Sequence, residues 1–316
     1  MRVLVLGAAA GGGLPQWNCN CECCRCARTG SRGVTPQTQS SIAVTTDGEN
    51  YVLFNASPDL RGQIAVNAAL HPRHGRRHSP ISAVVLTNAD VDHVAGLLTL
   101  RERQPFSLFG TARVLETLAN NAVFDVLNPE SVQRREIPLD SPEVLDPGLC
   151  RGASEPTGSG GLEITLFAVP GKVALYLEDA SAGADFGTVE EDTVAAEIRD
   201  PLSGETFFYI PGCAEVPDEL RARLRGASLV LFDGTMWRSD EMIVQKVGEK
   251  TGARMGHLQM SGSGGAIEGL AGLGIGRRIF THINNTNPVW LEDSAERREV
   301  LAAGWEIAHD GMEIDL

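Results

Sequence analysis

The sequence predicts an α/β protein whose mixed β-sheets are covered by helices on their outer faces. Three observations predict it. Strand-like and helix-like runs are interleaved through both halves of the chain. Hydrophobic residues make up 42% of the 316, enough for a sizeable core and too many for a disordered or fibrous chain. Three of the apolar runs end directly in carboxylate or imidazole side chains, at the strand edge where α/β sheets build their sites. Length alone leaves one large unit or two domains open.

Along the chain, residues 3–6 read as a strand and 7–17 as a glycine-rich turn region. Alternation at 41–46 and 51–55 around Asp47-Gly48 predicts a hairpin. Helical spacing at 59–70 is followed by a basic, His-rich connector, HPRHGRRHSP (71–80). The β-branched, fully apolar run 81–86 is a buried strand. A polar loop at 87–93 leads into a helix at 94–103, with a further strand at 108–109 and helix at 116–126. The Pro-, Gly- and Ser-rich stretch 138–161 is short and flanked by strands, so it reads as a surface excursion rather than a linker. Strands follow at 161–169, 173–178, 193–199 and 206–210, then a helix at 218–225 and a buried strand at 229–232. Helices are expected at 239–251 and 263–273, a strand at 278–281, a helix at 293–303, and a closing hairpin from 305–308 and 312–314. The sequence contains neither an internal repeat nor a low-complexity tract. Glycine, at 35 residues, exceeds its usual share of about 7%, which implies many tight turns.

A formal net charge of −14 sets the chain against a phosphate backbone and argues against nucleic acid as a partner. No apolar run approaches the roughly 20 residues that span a bilayer, so membrane insertion is not expected. The opening MRVLVLGAAAGGG reads as a buried strand rather than a secretory signal. Cys19, Cys21, Cys23, Cys24 and Cys26 crowd into eight residues. Such neighbours could pair only with strain, which points to a reduced, metal-binding cluster in a cytoplasmic protein.

The strand ends carry the chemistry. The strand at 81–86 runs into Thr87-Asn88-Ala89-Asp90-Val91-Asp92-His93, the strand at 229–232 into Asp233, and the strand at 278–281 into His282. A charged group at such an edge is costly unless it is paired or bound to metal. Singly, Asp92 could cap the following helix and His93 could be a satisfied core histidine; three strand ends together are harder to explain that way. The C-x-C-x₂-C set of Cys19, Cys21 and Cys24 puts three thiolates on one tight loop, as a structural Zn²⁺ requires, with Cys26 the nearest candidate for a fourth ligand. Free surface thiols are the alternative, and Cys150 and Cys213 read as small core residues. Gly7 and Gly11-Gly12-Gly13 do not make a dinucleotide loop, because Pro15 and the cysteines stand where the helix should begin. His71, His74 and His78 form either a loose Ni or Cu site or a solvated loop, whose Arg73, Arg76 and Arg77 could attract an anionic substrate.

An Asp-His loop followed by a helix, a strand-end Asp and a later strand-end Thr-His resemble the metallo-β-lactamase layout. The motifs NCNCECC (18–24), NASPD (55–59), TNADVDHVAGLLTLRE (87–102), DGTMW (233–237), MGHLQMSG (255–262), THINNTNP (281–288) and DGMEI (310–314) together resemble the coenzyme PQQ synthesis protein B family. They span nearly the whole chain in order. The resemblance implies a single αββα sandwich over residues 1–316, including the cysteine-rich zinc loop at 18–27, with a metal site at one sheet edge. It also implies iron- and O₂-dependent hydroxylation of a tyrosine-derived PQQ precursor.

Departures from the superfamily pattern are as informative. Two-metal hydrolases use His-x-His-x-Asp-His, where this chain has Asn88, Asp90, Asp92 and His93. A further histidine is replaced by Pro170-Gly171-Lys172, and a bridging aspartate by Pro211. Asp92, His93 and His282 remain: two imidazoles and one carboxylate with open positions, the ligand set of a non-haem Fe(II) oxygenase. Asn88 and Asp90 become candidate substrate contacts. Related proteins carry a proton-donating histidine at the position of His257, which makes His257 the expected acid/base or orienting group and Asp233 its partner. A buried histidine bonding a carbonyl is the plainer alternative. Asn285 and Asn287 are expected to orient substrate carbonyls or His282, although Asx-turn chemistry explains them almost as well. Related hydrolases close the zinc site with a histidine where this chain has Asn285, which leaves the fourth ligand open. The leading function is therefore an iron hydroxylase of PQQ biosynthesis, with PQQ or its precursor as ligand and other proteins of that synthesis as partners. A carrier assisting export to the periplasm and a two-metal hydrolase are the other classes; Asn88 and Pro211 argue against the hydrolase.

Overall fold

The computed structural model describes residues 1–158 and 160–316. Its strands are β1 (Arg2–Gly7), β2 (Ser41–Thr45), β3 (Tyr51–Phe54), β4 (Ile81–Val85), β5 (Phe106–Gly110), β6 (Val132–Glu136), β7 (Glu143–Leu145), β8 (Leu162–Ala168), β9 (Val194–Arg199), β10 (Thr206–Ile210), β11 (Leu229–Asp233), β12 (Arg277–Thr281), β13 (Glu306–Ile307) and β14 (Glu313–Asp315). They form two seven-stranded mixed sheets, ordered β14-β1-β2-β3-β4-β5-β6 and β13-β12-β11-β10-β9-β8-β7. Pairing is parallel from β3 to β6 and from β10 to β13, and antiparallel elsewhere.

Strand alternation sorts the core. In β1, Val3 and Val5 face the second sheet, with Ile42, Phe54, Val85, Leu166, Ile198, Tyr209 and Phe232 in the same cluster. Leu4 and Leu6 point the other way and pack with Leu53, Val84 and Leu108 beneath Leu60, Leu97, Val114 and Leu118 of the outer helical segments. The rings of Phe54 and Tyr209 meet edge-on across the sandwich at 6.1 Å. Among the described residues, no helix is long and apolar enough to cross a membrane, and the seven cysteines form no disulfide.

Several expected elements differ. The helix at 94–103 starts earlier, at Val91–Val94, and continues as a 3₁₀ stretch, Ala95–Leu100. Gly96 there donates its N–H to Ala56 O at 2.8 Å, an approach that leaves no room for a Cβ. The helix at 116–126 is Ala112–Ala119, N-capped by Thr111, followed by a 3₁₀ turn at Ala122–Val126. Residues 239–251 and 263–273 are helical only at Glu241–Val244 and Ala266–Gly269: the first stops before Lys246, which takes a positive φ of 57°, and the second is flanked by glycines, which favour turns over continued helix. The expected strand at 173–178 is a 3₁₀ turn, Leu175–Leu177, with Leu175 and Tyr176 exposed. Residues 305–308 and 312–314 do not pair with each other: β13 extends the second sheet beside β12, and β14 the first sheet beside β1. The excursion at 138–161 contains β7 and a short helix, Pro147–Cys150; residue 159 lies outside the described residues. Strand β6, with the sequence VQRRE, is too charged to read as a strand, and its edge position explains why.

Candidate metal centre and active site

Three parallel strands aim their C-terminal ends at one place. β4 leads into the 87–93 loop, β11 ends in Asp233, and β12 pairs Thr281 with Asp233 so that His282 emerges beside it. His282 adopts a positive φ of 55°, a left-handed conformation that turns it out of the strand at a cost of roughly 1–3 kcal/mol. Such strain persists where surrounding contacts fix it, and here they do. Thr235 Oγ1 lies 2.8 Å from His282 Nδ1, and Ile283 exchanges backbone hydrogen bonds with Ala8 and Ala10.

Two imidazoles and a carboxylate converge. The ligand atoms of Asp92, His93 and His282 lie within 4.8 Å of one another. His282 Nε2 is 3.2 Å from Asp92 Oδ2, and His93 Nε2 is 3.8 Å from the same oxygen. His93 Nδ1 donates to Asn88 Oδ1 at 2.8 Å, which leaves the lone pair on Nε2. That Nε2 is buried and has no hydrogen-bond partner among the described residues. An orphaned imidazole nitrogen facing a carboxylate and a second imidazole is what a metal ligand looks like without its ion. Burial pushes His93 down to about 4, so it stays a neutral donor. Burial opposes the charge on Asp92, but His93 and His282 outweigh it and hold the carboxyl below its usual range.

A second set, Asp233, His257 and His282, is equally close, but its carboxylate is already saturated. Asp233 is fully buried; Oδ2 accepts from Cys213 N at 2.9 Å and His257 Nδ1 at 2.7 Å, and Oδ1 from Thr235 N at 2.9 Å and Thr235 Oγ1 at 2.6 Å. It is a fixed counter-charge, not a free ligand. Burial disfavours the His257 cation, yet Asp233 outweighs that and raises its pKa. The His257 ring stacks on His282 at 5.3 Å, and its Nδ1–H is committed to Asp233, so Nε2 is the nitrogen left for a reacting molecule. Thr235 was not anticipated. Its hydroxyl donates to Asp233 while standing at the Nδ1 atoms of both His282 and His257, at 2.8 and 3.1 Å. The only signal was a hydroxyl two residues past the strand-end aspartate.

Other expected contacts are placed differently. Asn88 is engaged by His93 through its side-chain oxygen. Asp90 accepts from Leu175 N at 3.3 Å, and burial followed by the charge of Asp92 raises its carboxyl. Asn285 and Asn287 turn away from the imidazoles. Asn287 is fully buried and donates to Gly234 O at 3.0 Å while accepting from Val289 N at 3.1 Å, the loop chemistry that was the alternative. Asn285 lies on the thiols instead: Nδ2 is 3.3 Å from Cys24 Sγ and 3.6 Å from Cys21 Sγ. Cys19, Cys21 and Cys24 form a three-sulfur cluster. Cys26 does not join it; it sits buried on the helix Glu22–Thr29, whose turn carries it away from the other three. A hydrogen bond from Cys21 lowers Cys24 to about 5, so this loop favours a thiolate.

The chain matches the description of the beta-lactamase superfamily domain over residues 50–283. It is 54% identical to a coenzyme PQQ synthesis protein B of Methylorubrum extorquens over the full length of both. It is 51% identical to the protein of that name from Rhizobium meliloti (strain 1021), covering 100% of this chain and 98% of the other. The crystal structure of Zn(2+)-bound PqqB from Methylobacterium extorquens superposes over 100% of both chains with a TM-score of 0.92 at 53% identity. A diphosphatase of the PhnP family, 19% identical with a TM-score of 0.67 over 100% of this chain and 97% of its own, shares the fold. Sequence, sheet order and strand-end chemistry thus agree, and the chain belongs to the coenzyme PQQ synthesis protein B family within the beta-lactamase superfamily.

Proposed function

We propose that this chain is a mononuclear non-haem iron hydroxylase that acts on a tyrosine-derived precursor of PQQ in the cytoplasm. The observation that carries the reading is the buried, unpartnered Nε2 of His93 beside Asp92 and His282. Two imidazoles and one carboxylate fit Fe(II) and leave positions open. When bound, iron would supply the one-electron chemistry that makes O₂ reactive towards an aromatic ring. The chain's own groups do the rest. Asn88 fixes the His93 ring, and Thr235 transmits the hold of Asp233 to His282. His257, oriented by Asp233, holds a proton at Nε2 for transfer to or from a ring oxygen of the substrate. Asp90 faces the same space as a polar contact.

The thiol loop is read as a structural zinc site of Cys19, Cys21 and Cys24. Asn285 Nδ2 stands 3.6 and 3.3 Å from the sulfurs of Cys21 and Cys24, so its carboxamide supports these thiolates as a hydrogen-bond donor and the fourth ligand stays open.

The test is to load the protein anaerobically with Fe(II), admit ¹⁸O₂ with a dihydroxylated tyrosine-derived substrate, and examine the product by mass spectrometry. Incorporation of label is expected. Tight PQQ binding without O₂ consumption would overturn the reading in favour of a carrier.

A further inference from the structure

Two segments, the excursion between β8 and β9 and the connection from β11 to β12, each bring one cation to the edge of the imidazole site. β8 is a strand end that delivers no carboxylate or imidazole; the chain passes through Pro170 and Gly171 to Lys172. Arg254 stands three residues before His257. Both reach one carboxylate. Lys172 Nζ bonds Glu178 Oε1, and Arg254 donates from Nη1 to Oε1 at 3.1 Å and from Nη2 to Oε2 at 2.7 Å. Lys172 and Glu178 side chains are only 15% and 13% exposed. The Arg254 guanidinium lies over the Phe186 ring at 3.7 Å, which fixes its plane.

Two cations bond one carboxylate, and Asp90, the other carboxylate within reach of the Lys172 charge, keeps its Oδ1 on Leu175 N at 3.3 Å. Glu178 satisfies the arginine fork by itself, and the lysine adds a second, partly desolvated cation. Asp185 also borders the space, but its Oδ1 is turned onto Gly187 N at 3.3 Å. Lys172, Phe186, Arg254 and Gly256 line a cavity of about 130 Å³. Its position relative to the chemistry is fixed on both sides. Gly256, immediately before His257, leaves no room for a side chain, since a Cβ there would stand 2.9 Å from Lys172 Cβ. Towards the metal loop, Leu175 N donates to Asp90 at 3.3 Å and Tyr176 OH to Ala89 O at 2.8 Å.

We propose that Lys172 and Arg254 form the seat for a carboxylate of the substrate, an aromatic carboxylic acid, and that Glu178 is the internal carboxylate holding this seat when substrate is absent. The inference rests on the aromatic substrate class of the proposed function and adds the group by which that substrate is anchored. The seat explains how a chain of net charge −14 accepts an anionic ligand. It also explains why Glu178 sits on an excursion rather than on a strand: the occupant has to leave.

The experiment is calorimetric titration of the metal-loaded full chain with two pairs of probes, 3-(3,4-dihydroxyphenyl)propanoate against its methyl ester and PQQ against its trimethyl ester. Acids should bind at least roughly 10-fold more tightly than esters, as expected for charge-assisted hydrogen bonds. Arg254→Gln and Lys172→Met should abolish that preference. Glu178→Gln should bind the acids more tightly than wild type because the internal competitor is gone. A merely structural ion pair predicts the opposite, a lower Tm with no gain in binding, so this variant decides the question even if the cation variants fold poorly. Equal binding of acid and ester, preference surviving in both cation variants, or no acid binding at millimolar concentration would each overturn the seat. Preference for the simple acid without any for PQQ would support the seat and sink the PQQ reading instead.

Discussion

The thiol loop and the imidazole cluster are both three-donor sets, and both lean on the same segment, with His282 and Asn285 three residues apart. They are built in opposite ways. Cys19, Cys21 and Cys24 come from one turn of chain, and Asn285 covers their remaining side. Asp92 and His93, on the short helix after β4, meet His282 from the end of β12, nearly two hundred residues on, and among the described residues the Nε2 of His93 has no hydrogen-bond partner. A local set capped by a fourth group suits a closed structural ion; a distributed set with one side left bare suits an ion that must also meet a substrate. The difference teaches that donor count does not separate the roles of the two sites. What the protein leaves unsatisfied does.

The sharpest way to break this contrast is to remove a ligand from the open set. His93→Ala and His282→Ala should each lower affinity for the active-site ion beyond the 10–100-fold typical of losing a supporting hydrogen bond, and abolish turnover. Metal analysis should still find the zinc. Wild type should hold one ion in the active site; two ions ~3.5–4 Å apart there would dissolve the contrast and revive a hydrolase.

Next in size is the closed set. Binding energy of a structural ion adds to folding energy, so Cys21→Ser should lose zinc and several kcal/mol of stability together. For a chain of this size that is a fall in Tm on the order of 10 °C, read by calorimetry. Iron affinity should drop only through the shared 281–288 segment. An unchanged Tm with full iron loading but no turnover would make the thiols catalytic and erase the distinction.

The two regions also differ in how legible they were. The three-sulfur cluster could be read from spacing alone, because its thiols are neighbours; only the exclusion of Cys26 needed the helix Glu22–Thr29. The imidazole site was legible as strand ends, since a charge at a buried edge needs a reason. For Asn285 and Asn287 the sequence left two readings open, because spacing does not tell which way a loop side chain turns; here one faces sulfur and the other the Gly234 carbonyl. Thr235 was invisible because a threonine acquires this role only when two histidines and a carboxylate gather around it. In the fold, apolar alternation found the central strands. It missed β6 and β7, whose edge positions do not require apolar residues on both faces, and took 305–314 for a hairpin because two short strands about a turn look alike whether they share a sheet or divide between two.

The smallest expected effect concerns the residue that joins the two regions. Glu241 is buried; Oε2 accepts from Trp237 N at 2.7 Å, just past Thr235, and Oε1 from Thr286 Oγ1 at 2.6 Å, next to Asn285. Burial pushes its carboxyl up to about 7, although Thr286 and the backbone donors at Arg238 and Trp237 oppose the rise. A carboxyl whose folded pKa exceeds its unfolded value of 4.5 keeps its proton longer when folded. Its contribution is therefore largest below about 4.5 and declines as pH rises towards about 7, by at most about 1.4 kcal/mol per pH unit. Urea unfolding of wild type and Glu241→Gln across that window should show the decline in wild type and its removal in the variant, which keeps the size of the side chain without the titration. A difference between the two that is flat with pH, or that grows in favour of wild type as pH rises, would mean the three donors hold Glu241 ionised throughout. The link between the closed and the open site would then be a permanent charge rather than a protonated hydrogen-bond bridge.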